Sequence, residues 1–252
     1  MLMSLAPDGI DGAEFTADTL LRGRITLLQP ARGFRSSLDP VLLAGFLAPP
    51  FGRVLDIGCG TGAVAFLLMA RDPSATGVGV ELQPRLATLA RAAAARNGFA
   101  DRLEIVEGDV RGKEAAWPAS SFDLVATNPP FRLVTDGHTS PDEERARAHH
   151  EITLTLPQWV AIAARLVRPD GRVAAVFAAE RLVELLGVMQ GQGLHPARLR
   201  LVHPELGRPA TRVLVEARRA VRRPLVIEAP LVIAGADGQR YSDDVARMLG
   251  DR

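Results

Sequence analysis

The sequence predicts an α/β fold whose doubly wound, seven-stranded, mostly parallel sheet is closed by an antiparallel hairpin. Two observations predict this fold. From residue 52 onward, short apolar runs alternate with helical stretches, which is the pattern of successive β-α units in a parallel sheet. After residue 193, two β runs follow each other with no room for a helix between them, so these two strands should pair antiparallel.

Proline and glycine delimit the elements in the first half of this pattern. Pro73 stops the first helix, Pro84 occupies the first turn of the second helix, and Gly98 follows its last turn. The predicted elements, in chain order, are a strand over 53–56, a helix over 62–71, a strand over 76–81, a helix over 84–97, and strands over 103–106 and 122–127.

The second half of the chain completes the sheet. Its predicted elements are a helix over 157–167, a strand over 172–177, a helix over 180–189, and the paired strands over 194–202 and 211–217. Residues 131–156, which precede them, form a charged loop too long to be an idle connection. We expect this loop to be mobile.

Residues 1–50 precede the alternating pattern. They should contain a strand over 24–28, paired near Gly33, Phe34 and Arg35, and a short helix over 40–47. The predicted domain organisation is therefore an N-terminal extension, residues 1–50, packed on a core domain that spans residues 51–252.

Length and composition narrow the class of protein. At 252 residues and 47% hydrophobic content, the chain can bury a full core in one domain. A single cysteine excludes a disulfide framework and a cysteine-rich metal site, and no metal is expected. No apolar run is long enough to span a membrane, and the N-terminus lacks a basic start leading into an apolar segment, so a cytoplasmic protein is expected.

A glycine-rich turn joins the first core strand to the first core helix. Gly58, Gly60 and Gly62 let the backbone turn tightly and let a ligand approach the helix N-terminus. With Ala63 the stretch also fits G-x-G-x-x-A, a weak fingerprint of dinucleotide sites, so the turn alone leaves the ligand open. Cys59, inside the turn, is predicted to be a small packing residue rather than a nucleophile, since no histidine is near in sequence.

Three acids at successive strand ends favour S-adenosylmethionine over a dinucleotide. Asp56 would repel a pyrophosphate but suits a ligand with an ammonium and a sulfonium. Glu81 is placed to accept from two ribose hydroxyls, and Asp109 from the adenine amino group. The alternative is that Asp56 caps the helix and Glu81 is solvated. Neighbours of these acids are further predicted cofactor contacts: Cys59, Leu82 and Val110.

The fourth strand ends in Asn128-Pro129-Pro130-Phe131, an extended corner in which two residues lack a backbone donor. The Asn128 side-chain oxygen and the Pro129 carbonyl can accept both hydrogens of a conjugated –NH2 group, while Phe131 stacks on its ring. We therefore predict that Asn128, Pro129 and Phe131 are catalytic and that Asn128 also contacts the cofactor. The alternative is an ordinary strand-ending turn with a core phenylalanine.

These residues resemble the class I S-adenosylmethionine-dependent methyltransferases, which are Rossmann-like, and within them the N-P-P-[FY] amino methyltransferases. The segments QPARGFRSSLDPVLLAGFL and LVIAGADGQRYSDDVARML look like the ends of the bacterial tRNA(Val) adenine-N6 methyltransferase family. The resemblance implies methyl transfer to the adenine beside the anticodon, position 37, with S-adenosylmethionine as cofactor and tRNA as partner. It also implies that Arg35 and Asp39 help to close the cofactor pocket.

The same resemblance assigns roles to the motif residues. Those that would bind the cofactor are Asp56, Gly58, Gly60, Glu81 and Asp109. Those that would bind the target base are Asn128, Pro129 and Phe131.

Three other functions stay open at this point. A protein-glutamine methyltransferase acts on a similar conjugated amide, although that class usually shows N-P-P-Y and a separate helical N-terminal domain. A guanine-N2 methyltransferase of ribosomal RNA also carries N-P-P-F. A non-catalytic RNA-binding protein of the same fold would not need to bind S-adenosylmethionine.

The sequence does not identify the residues that would hold RNA. Lys113 is the only lysine, so nearly all positive charge is arginine, which suits phosphate recognition but also follows from a coding bias. Arginines near the closing hairpin form either an RNA-binding stripe or a solvated edge: Arg198, Arg200, Arg208, Arg212, Arg218, Arg219, Arg222 and Arg223. Further candidates lie in the long loop: Arg145, Arg147, His149 and His150.

Overall fold

The computed structural model describes residues 14–113, 116–129, 154–236 and 239–250. The strands are β1 (Phe15–Leu20), β2 (Ile25–Pro30), β3 (Arg53–Ile57), β4 (Thr76–Glu81), β5 (Leu103–Glu107), β6 (Phe122–Thr127), β7 (Val167–Ala178), β8 (Leu194–His203), β9 (Arg212–Arg219), β10 (Val226–Ile227) and β11 (Leu231–Val232). The helices are α1 (Asp39–Phe46), α2 (Ala63–Arg71), α3 (Pro84–Arg96), α4 (Val110–Lys113), α5 (Leu156–Leu166), α6 (Leu182–Gly191) and α7 (Asp243–Met248), with a 3-10 turn at Ala179–Arg181.

The main sheet has the strand order β10-β8-β9-β7-β6-β3-β4-β5, and β11 also pairs with β8. Strands β7, β6, β3, β4 and β5 run parallel, whereas β9 is antiparallel to both β7 and β8. The predicted fold is therefore confirmed, since seven longer strands make up most of this nine-stranded sheet and an antiparallel pair closes it. Two strands of two residues each, β10 and β11, extend the outer edge and are too short to show a periodic pattern.

The order of the strands reverses between β3 and β6. The chain runs outward from β3 through β4 to β5 and then returns, so that β6 pairs with the other side of β3. In open α/β sheets, ligands bind outside the carboxyl ends of the strands at such a switch point. The ends of β3 and β6, where Ile57 pairs with Thr127, therefore mark the expected place of a ligand.

Alternate residues of each central strand face opposite sides of the sheet, and each side has its own apolar core. Val54 and Leu124 pack into the core that holds α1, α2 and α3, while Leu55 and Val125 pack into the core that holds α5 and α6. Strands buried on both faces explain why the sequence shows continuous apolar runs here rather than alternation.

The ends of the helices follow the punctuation of the sequence. Pro84 begins α3, and Gly98, which follows its last residues, has a φ of 69°. The capping box of α5 joins Thr155 to Gln158, so that this helix begins at Leu156, close to its predicted start. The following strand β7 is longer than predicted, because it begins directly after α5 at Val167 and accommodates a bulge opposite β6.

The N-terminal strand pair differs from its prediction. The partner of β2 is β1, which precedes it in the chain, and Gly33-Phe34-Arg35 is not in a strand. Gly33, with a φ of 96°, instead turns the backbone away from β2. The side chain of Asn97 fastens the pair to the core domain, since it donates to Thr26 O at 2.7 Å and accepts from Thr26 N at 2.8 Å.

Apolar residues of β1, β2 and α1 share one buried cluster with α2 and α3. The division of the chain into an extension and a domain at residue 50 stays a prediction. Most of the predicted mobile loop, residues 131–153, lies outside the described residues. Within the ranges that the structure describes, no helix is both long enough and apolar enough to cross a membrane.

Candidate functional site

A cleft opens at the carboxyl ends of β3, β4, β5 and β6. Its floor is the glycine-rich turn between β3 and α2, and its walls include the segment from Phe34 to Pro40. All of the predicted cofactor-binding residues except Gly62 line this cleft: Arg35, Asp56, Gly58, Cys59, Gly60, Glu81, Leu82, Asp109, Val110 and Asn128. Pro129, one of the predicted catalytic residues, lines it as well. The fold thus brings residues from four strand ends to one place.

The three glycines of the turn serve different purposes. All have positive φ values, of 68° at Gly58, 57° at Gly60 and 91° at Gly62, which L side chains rarely adopt. A Cβ added at Gly58 would have no heavy atom within 4 Å, so the missing side chain leaves open space in the cleft. A Cβ at Gly62 would come within 2.5 Å of the Phe66 ring, so packing alone requires glycine there, and its predicted role in cofactor binding stays a prediction.

Asp56, the fourth residue of β3, is buried beneath the turn, with 1% of its surface exposed. Its Oδ2 accepts from the N–H of Ala65 at 3.1 Å, while its Oδ1 has no hydrogen-bond partner among the described residues. Burial raises the pKa of Asp56 to about 7, the Ala65 hydrogen bond opposes that rise, and the nearby Glu81 charge adds to it. The hydroxyl of Thr61, which also lines the cleft, is likewise buried without a described partner.

Asp56 therefore retains an unsatisfied acceptor where the cleft offers room. A buried polar atom without a hydrogen bond lowers the stability of the fold by about 1–3 kcal/mol unless a ligand donates to it. A cationic donor would both satisfy Oδ1 and favour the charged carboxylate. If Asp56 were only a helix cap, as the alternative from the sequence holds, its Oδ2 would be explained by the Ala65 hydrogen bond but its Oδ1 would have no role.

Glu81 ends β4 and is 6% exposed, so it is not a solvated acid. Its Oε2 accepts from the N–H of Gly60 at 2.8 Å, and its Oε1 accepts from the N–H of Gln83 at 2.8 Å. The carboxylate thus holds two backbone segments of the cleft together and presents its remaining lone pairs beside them.

Asp109 follows β5 and caps the short helix α4. Both of its carboxylate oxygens accept from Arg111, with Nε–O distances of 3.0 and 2.9 Å, and Oδ1 also accepts from the Arg111 N–H. The Arg111 hydrogen bonds hold the pKa of Asp109 below its ordinary value. For Asp109 to accept from an adenine amino group, this exposed guanidinium must share the carboxylate with it.

Cys59 is a packing residue, as the sequence predicts. Its N–H donates to Val80 O at 3.0 Å, and its sulfur lies 2.9 Å from the point where a Cβ of Gly79 would stand. Burial, with the charges of Asp56 and Glu81, raises the pKa of its thiol well above the ordinary value. The thiol is therefore protonated at neutral pH and unsuited to nucleophilic chemistry.

Asn128 and Pro129 follow the end of β6, on the opposite side of β3 from Glu81. The Thr127 hydroxyl donates to Ile57 O at 2.8 Å, which fixes this strand end against β3. Asn128 is half-buried and Pro129 is buried, and both line the cleft. Other candidates from the sequence lie outside the described residues: Phe131, Arg145, Arg147, His149 and His150.

The N-terminal segment closes one wall of the cleft. The exposed guanidinium of Arg35 binds Asp18 at 2.6 Å and donates to the Thr16 hydroxyl at 3.0 Å. The N–H of Ser36 donates to the buried side chain of Gln29 at 2.6 Å. The strand pair β1–β2 therefore positions this wall, and the contacts of Arg35 with β1 hold the wall against it.

Several residues that line the cleft were not found from the sequence: Phe34, Ser36, Ser37, Thr61, Gln83, Leu86, Leu154 and Arg212. Phe34 packs over the glycine turn, with ring atoms 3.2 and 3.3 Å from a Cβ built on Gly60. Arg212, the first residue of β9, lies 3.4 Å from the carboxylate of Asp39 at the start of α1. Phe34 lies in the segment before the first core strand that the sequence analysis singles out, so it could have been predicted to line the cleft. Nothing in the sequence indicates that Arg212 contacts Asp39.

The arginine-rich hairpin is largely committed to internal contacts. Arg198 binds Glu216 and Glu228, and Arg200 binds Asp244. Arg212 pairs with Asp39, Arg218 with Glu216, and Arg219 donates to Val167 O at 2.6 Å. These five arginines do not form a free basic stripe, because each is engaged by an acid or a carbonyl of the protein.

Comparison with known proteins places the chain among methyltransferases. The profile of the methyltransferase small domain matches residues 39–180. A tRNA1(Val) (adenine(37)-N6)-methyltransferase of Porphyromonas gingivalis is 35% identical over 204 residues, which cover 78% of this chain and 79% of that protein. A protein of the same name from Aeromonas hydrophila is 32% identical over 205 residues, covering 80% and 83%.

Solved structures show the same fold. A predicted O-methyltransferase from Agrobacterium tumefaciens superposes with a TM-score of 0.67 at 23% identity, covering 85% of this chain and 98% of that chain. A geranyl diphosphate methyltransferase, solved in complex with S-adenosylmethionine, superposes with a TM-score of 0.52 at 14% identity, covering 71% and 84%. At these identities the two likenesses concern the fold alone.

Proposed function

This chain belongs to the methyltransferase small-domain family, and on that premise we propose that it transfers a methyl group from S-adenosylmethionine to the exocyclic N6 of an adenine in tRNA. The proposed target is adenine 37 of tRNA1(Val), the substrate that the names of its relatives give. One observation supports this function most: Asn128 and the incompletely paired carboxylate of Asp56 line the same cleft, at adjacent strand ends.

The residues of the cleft fit S-adenosylmethionine. The unpartnered Oδ1 of Asp56 suits the ammonium of its methionine part, and the open space at Gly58 gives the ligand access to the turn. Glu81 lines the cleft beside the turn, where its carboxylate would accept from the ribose hydroxyls. Asp109 and Val110 line the far end of the cleft, where an adenine ring would lie. When bound, S-adenosylmethionine would supply an electrophilic methyl group attached to a sulfonium.

Asn128 and Pro129 supply the chemistry of the acceptor. The N6 amino group of adenine is a weak nucleophile, because its lone pair is delocalised into the ring. The Asn128 side-chain oxygen and the Pro129 carbonyl would each accept one hydrogen of this amino group. These hydrogen bonds position the nitrogen and stabilise the positive charge that grows on it, as preorganised dipoles do in other active sites. No strong base is required for this role.

The buried surroundings strengthen the effect. Pro129 and Thr127 are buried, and the Thr127 hydroxyl donates to Ile57 O at 2.8 Å, so the strand end that carries Asn128 is fixed against β3. Hydrogen bonds in such a site lose little energy to rearrangement. An adenine stacked in an anticodon loop must first turn outward to reach it.

The proposed function is tested by incubating the protein with methyl-labelled S-adenosylmethionine and unmodified tRNA, followed by mass spectrometry of the nucleosides. Label in N6-methyladenosine is the expected result, and fragment mapping should place it at position 37 of tRNA1(Val). Label in methylguanosine would replace the adenine assignment. Cofactor binding without any label in tRNA would contradict a tRNA substrate.

A further inference from the structure

We propose that the loop between β8 and β9, residues 204–211, is a docking arm for the tRNA substrate, with Leu206 and Arg208 as its contact residues. This inference rests on the proposed function. It concerns a segment outside the cofactor cleft that the described contacts leave facing solvent.

The loop projects from the edge of the sheet that carries the cleft. The last paired residues of the hairpin are Val202 and Arg212, and Arg212 also pairs with Ala178 at the carboxyl end of β7. Because Arg212 lines the same cleft as Asn128, the loop starts at the cleft and runs outward on its acceptor side.

The distance to the acceptor corner is short. Strand β9 is separated from β6 only by β7, and Arg212 pairs with Ala178, three residues beyond the partner of Thr127 on β7. Two strand spacings across and three residues along place the root of the loop roughly 14 Å from the end of β6. A nucleic-acid interface of about 1,000 Å² would extend roughly 18 Å in every direction from its centre, so a tRNA whose adenine occupies the cleft would reach this loop.

The loop is ordered by hydrogen bonds and still exposes its side chains. The N–H of Arg208 donates to Glu205 O at 3.2 Å, the N–H of Thr211 donates to Val202 O at 2.9 Å, and the His203 ring contacts Arg208 O at 2.7 Å. Leu206 is nevertheless 88% exposed, the largest fraction among the exposed large apolar side chains of the described ranges. Leu206 is therefore held in place by an ordered turn and is accessible to a partner.

The chemistry of the arm fits RNA. Arg208 is exposed beside Leu206, and a guanidinium binds phosphate oxygens bidentately. Leu206 can pack against an unstacked base, as apolar side chains do when a nucleotide is turned out of its stack. The Ala179 N–H donates to Thr211 O at 3.2 Å, which fixes the end of the arm against the residue that follows β7. The loop also contains one acid, Glu205, whose charge is balanced by that of Arg208, so the net charge of the arm is zero.

The test uses Leu206→Ser and Arg208→Ala, each compared with a matched variant away from the cleft. Arg96→Ala removes an exposed arginine at the last residue of α3, and Ile227→Ala shortens a side chain that is 66% exposed on the outer strand. The KM for tRNA, kcat, the Kd for S-adenosylmethionine and the melting temperature are measured for all four variants and the unmodified protein.

We expect Leu206→Ser and Arg208→Ala each to raise the KM for tRNA roughly 10-fold, with cofactor Kd and melting temperature unchanged. Arg208→Ala should also lower the slope of log affinity against log salt by about 1, whereas Leu206→Ser should leave this slope unchanged. Arg96→Ala and Ile227→Ala should behave as the unmodified protein does.

Two outcomes would overturn the docking arm while the proposed function stands. One is a KM for tRNA within about twofold of the unmodified protein in both arm variants, or an equal rise in the two matched variants. The other is a dimer in sedimentation that Leu206→Ser dissociates, which would assign the loop to contact between copies of this chain. A protein that methylates no tRNA in any form would instead contradict the proposed function.

Discussion

The carboxylate of Glu81 accepts the backbone N–H of Gly60 at 2.8 Å, which joins the end of β4 to the glycine-rich turn after β3. The same carboxylate accepts from Gln83 N, so the first residues after β4 are fixed as well. One side chain therefore sets the relative position of two segments that line the cleft.

Glu81→Gln should damage both structure and binding. The amide retains one acceptor oxygen but turns an –NH2 group toward one of the two backbone donors. We expect the free energy of unfolding to fall by about 1–3 kcal/mol and the affinity for S-adenosylmethionine to fall with it. Chemical denaturation and calorimetry measure the two quantities. Glu104→Gln, at an exposed position of β5, is the matched control, and equal behaviour of the two variants would refute this role.

Asp56→Asn should stabilise the ligand-free protein at high pH. The pKa of Asp56 is about 7 in the folded protein, mainly because of burial, against about 3.9 in an unfolded chain. Between these values the folded state binds more protons than the unfolded state, so this group lowers stability as pH rises, by up to about 1.4 kcal/mol per pH unit. Asparagine does not titrate. The melting temperature of the variant should match the unmodified protein near pH 4 and exceed it near pH 8.

Cofactor binding should depend on the same group in the opposite sense. An ammonium favours the charged carboxylate, so affinity for S-adenosylmethionine should rise with pH up to about 7, and binding below that pH should release a proton. Calorimetry in two buffers with different ionisation enthalpies counts this proton. Asp56→Asn should bind weakly and release none. Affinity that is constant from about pH 5.5 to 7 would contradict a contact between Asp56 and the ammonium.

Two glycine substitutions in the same turn should separate binding from folding. A Cβ at Gly58 meets no heavy atom within 4 Å, so Gly58→Ala should cost about 1–2 kcal/mol of stability, from its positive φ, and should weaken cofactor binding at least 10-fold by filling the cleft. A Cβ at Gly62 comes within 2.5 Å of the Phe66 ring, so Gly62→Ala should cost about 1–3 kcal/mol more. Thermal melts and calorimetry of both variants check this, and a larger stability loss in Gly58→Ala would reverse the assignment.

Asn128→Ala should remove catalysis and leave cofactor binding nearly intact. The change deletes the side-chain acceptor at the end of β6 without touching Asp56 or Glu81. Loss of one preorganised hydrogen bond to the reacting group costs about 100- to 1,000-fold in kcat. Single-turnover methylation of tRNA measures this loss, and calorimetry confirms the bound cofactor. A rate close to that of the unmodified protein would mean that Asn128 does not hold the amino group.

The parts of the site that the sequence reveals are those fixed by local backbone geometry. A glycine turn after a strand, acids at strand ends and two prolines after an asparagine each restrict the chain over a few residues. The fold brings these segments together because parallel strands end at one edge. Their places in the cleft follow from the strand order alone.

The parts that the sequence conceals depend on distant contacts. Arg212 reaches Asp39 across 173 positions, and five arginines of the hairpin find internal partners that no spacing indicates. The sequence prediction placed the partner of β2 after it, near Gly33, whereas the strand that pairs with it is β1, which precedes Ile25. Asp109 and Arg111 are close in sequence, but the sequence does not indicate that the Arg111 guanidinium binds both carboxylate oxygens of Asp109.

The N-terminal wall of the cleft has a consequence for the order of synthesis. During translation β1, β2 and segment 34–39 are synthesised before the strands of the main sheet. The hydrogen bond between Thr26 and Asn97 can form only 71 positions later, and the contact between Asp39 and Arg212 later still. A nascent chain that ends before β9 contains the glycine turn and the acids of the cleft but lacks Arg212, which binds Asp39 in this wall. The N-terminal wall is therefore among the parts of the cleft whose described contacts form last, because they need partners as distant in the chain as Asn97 and Arg212.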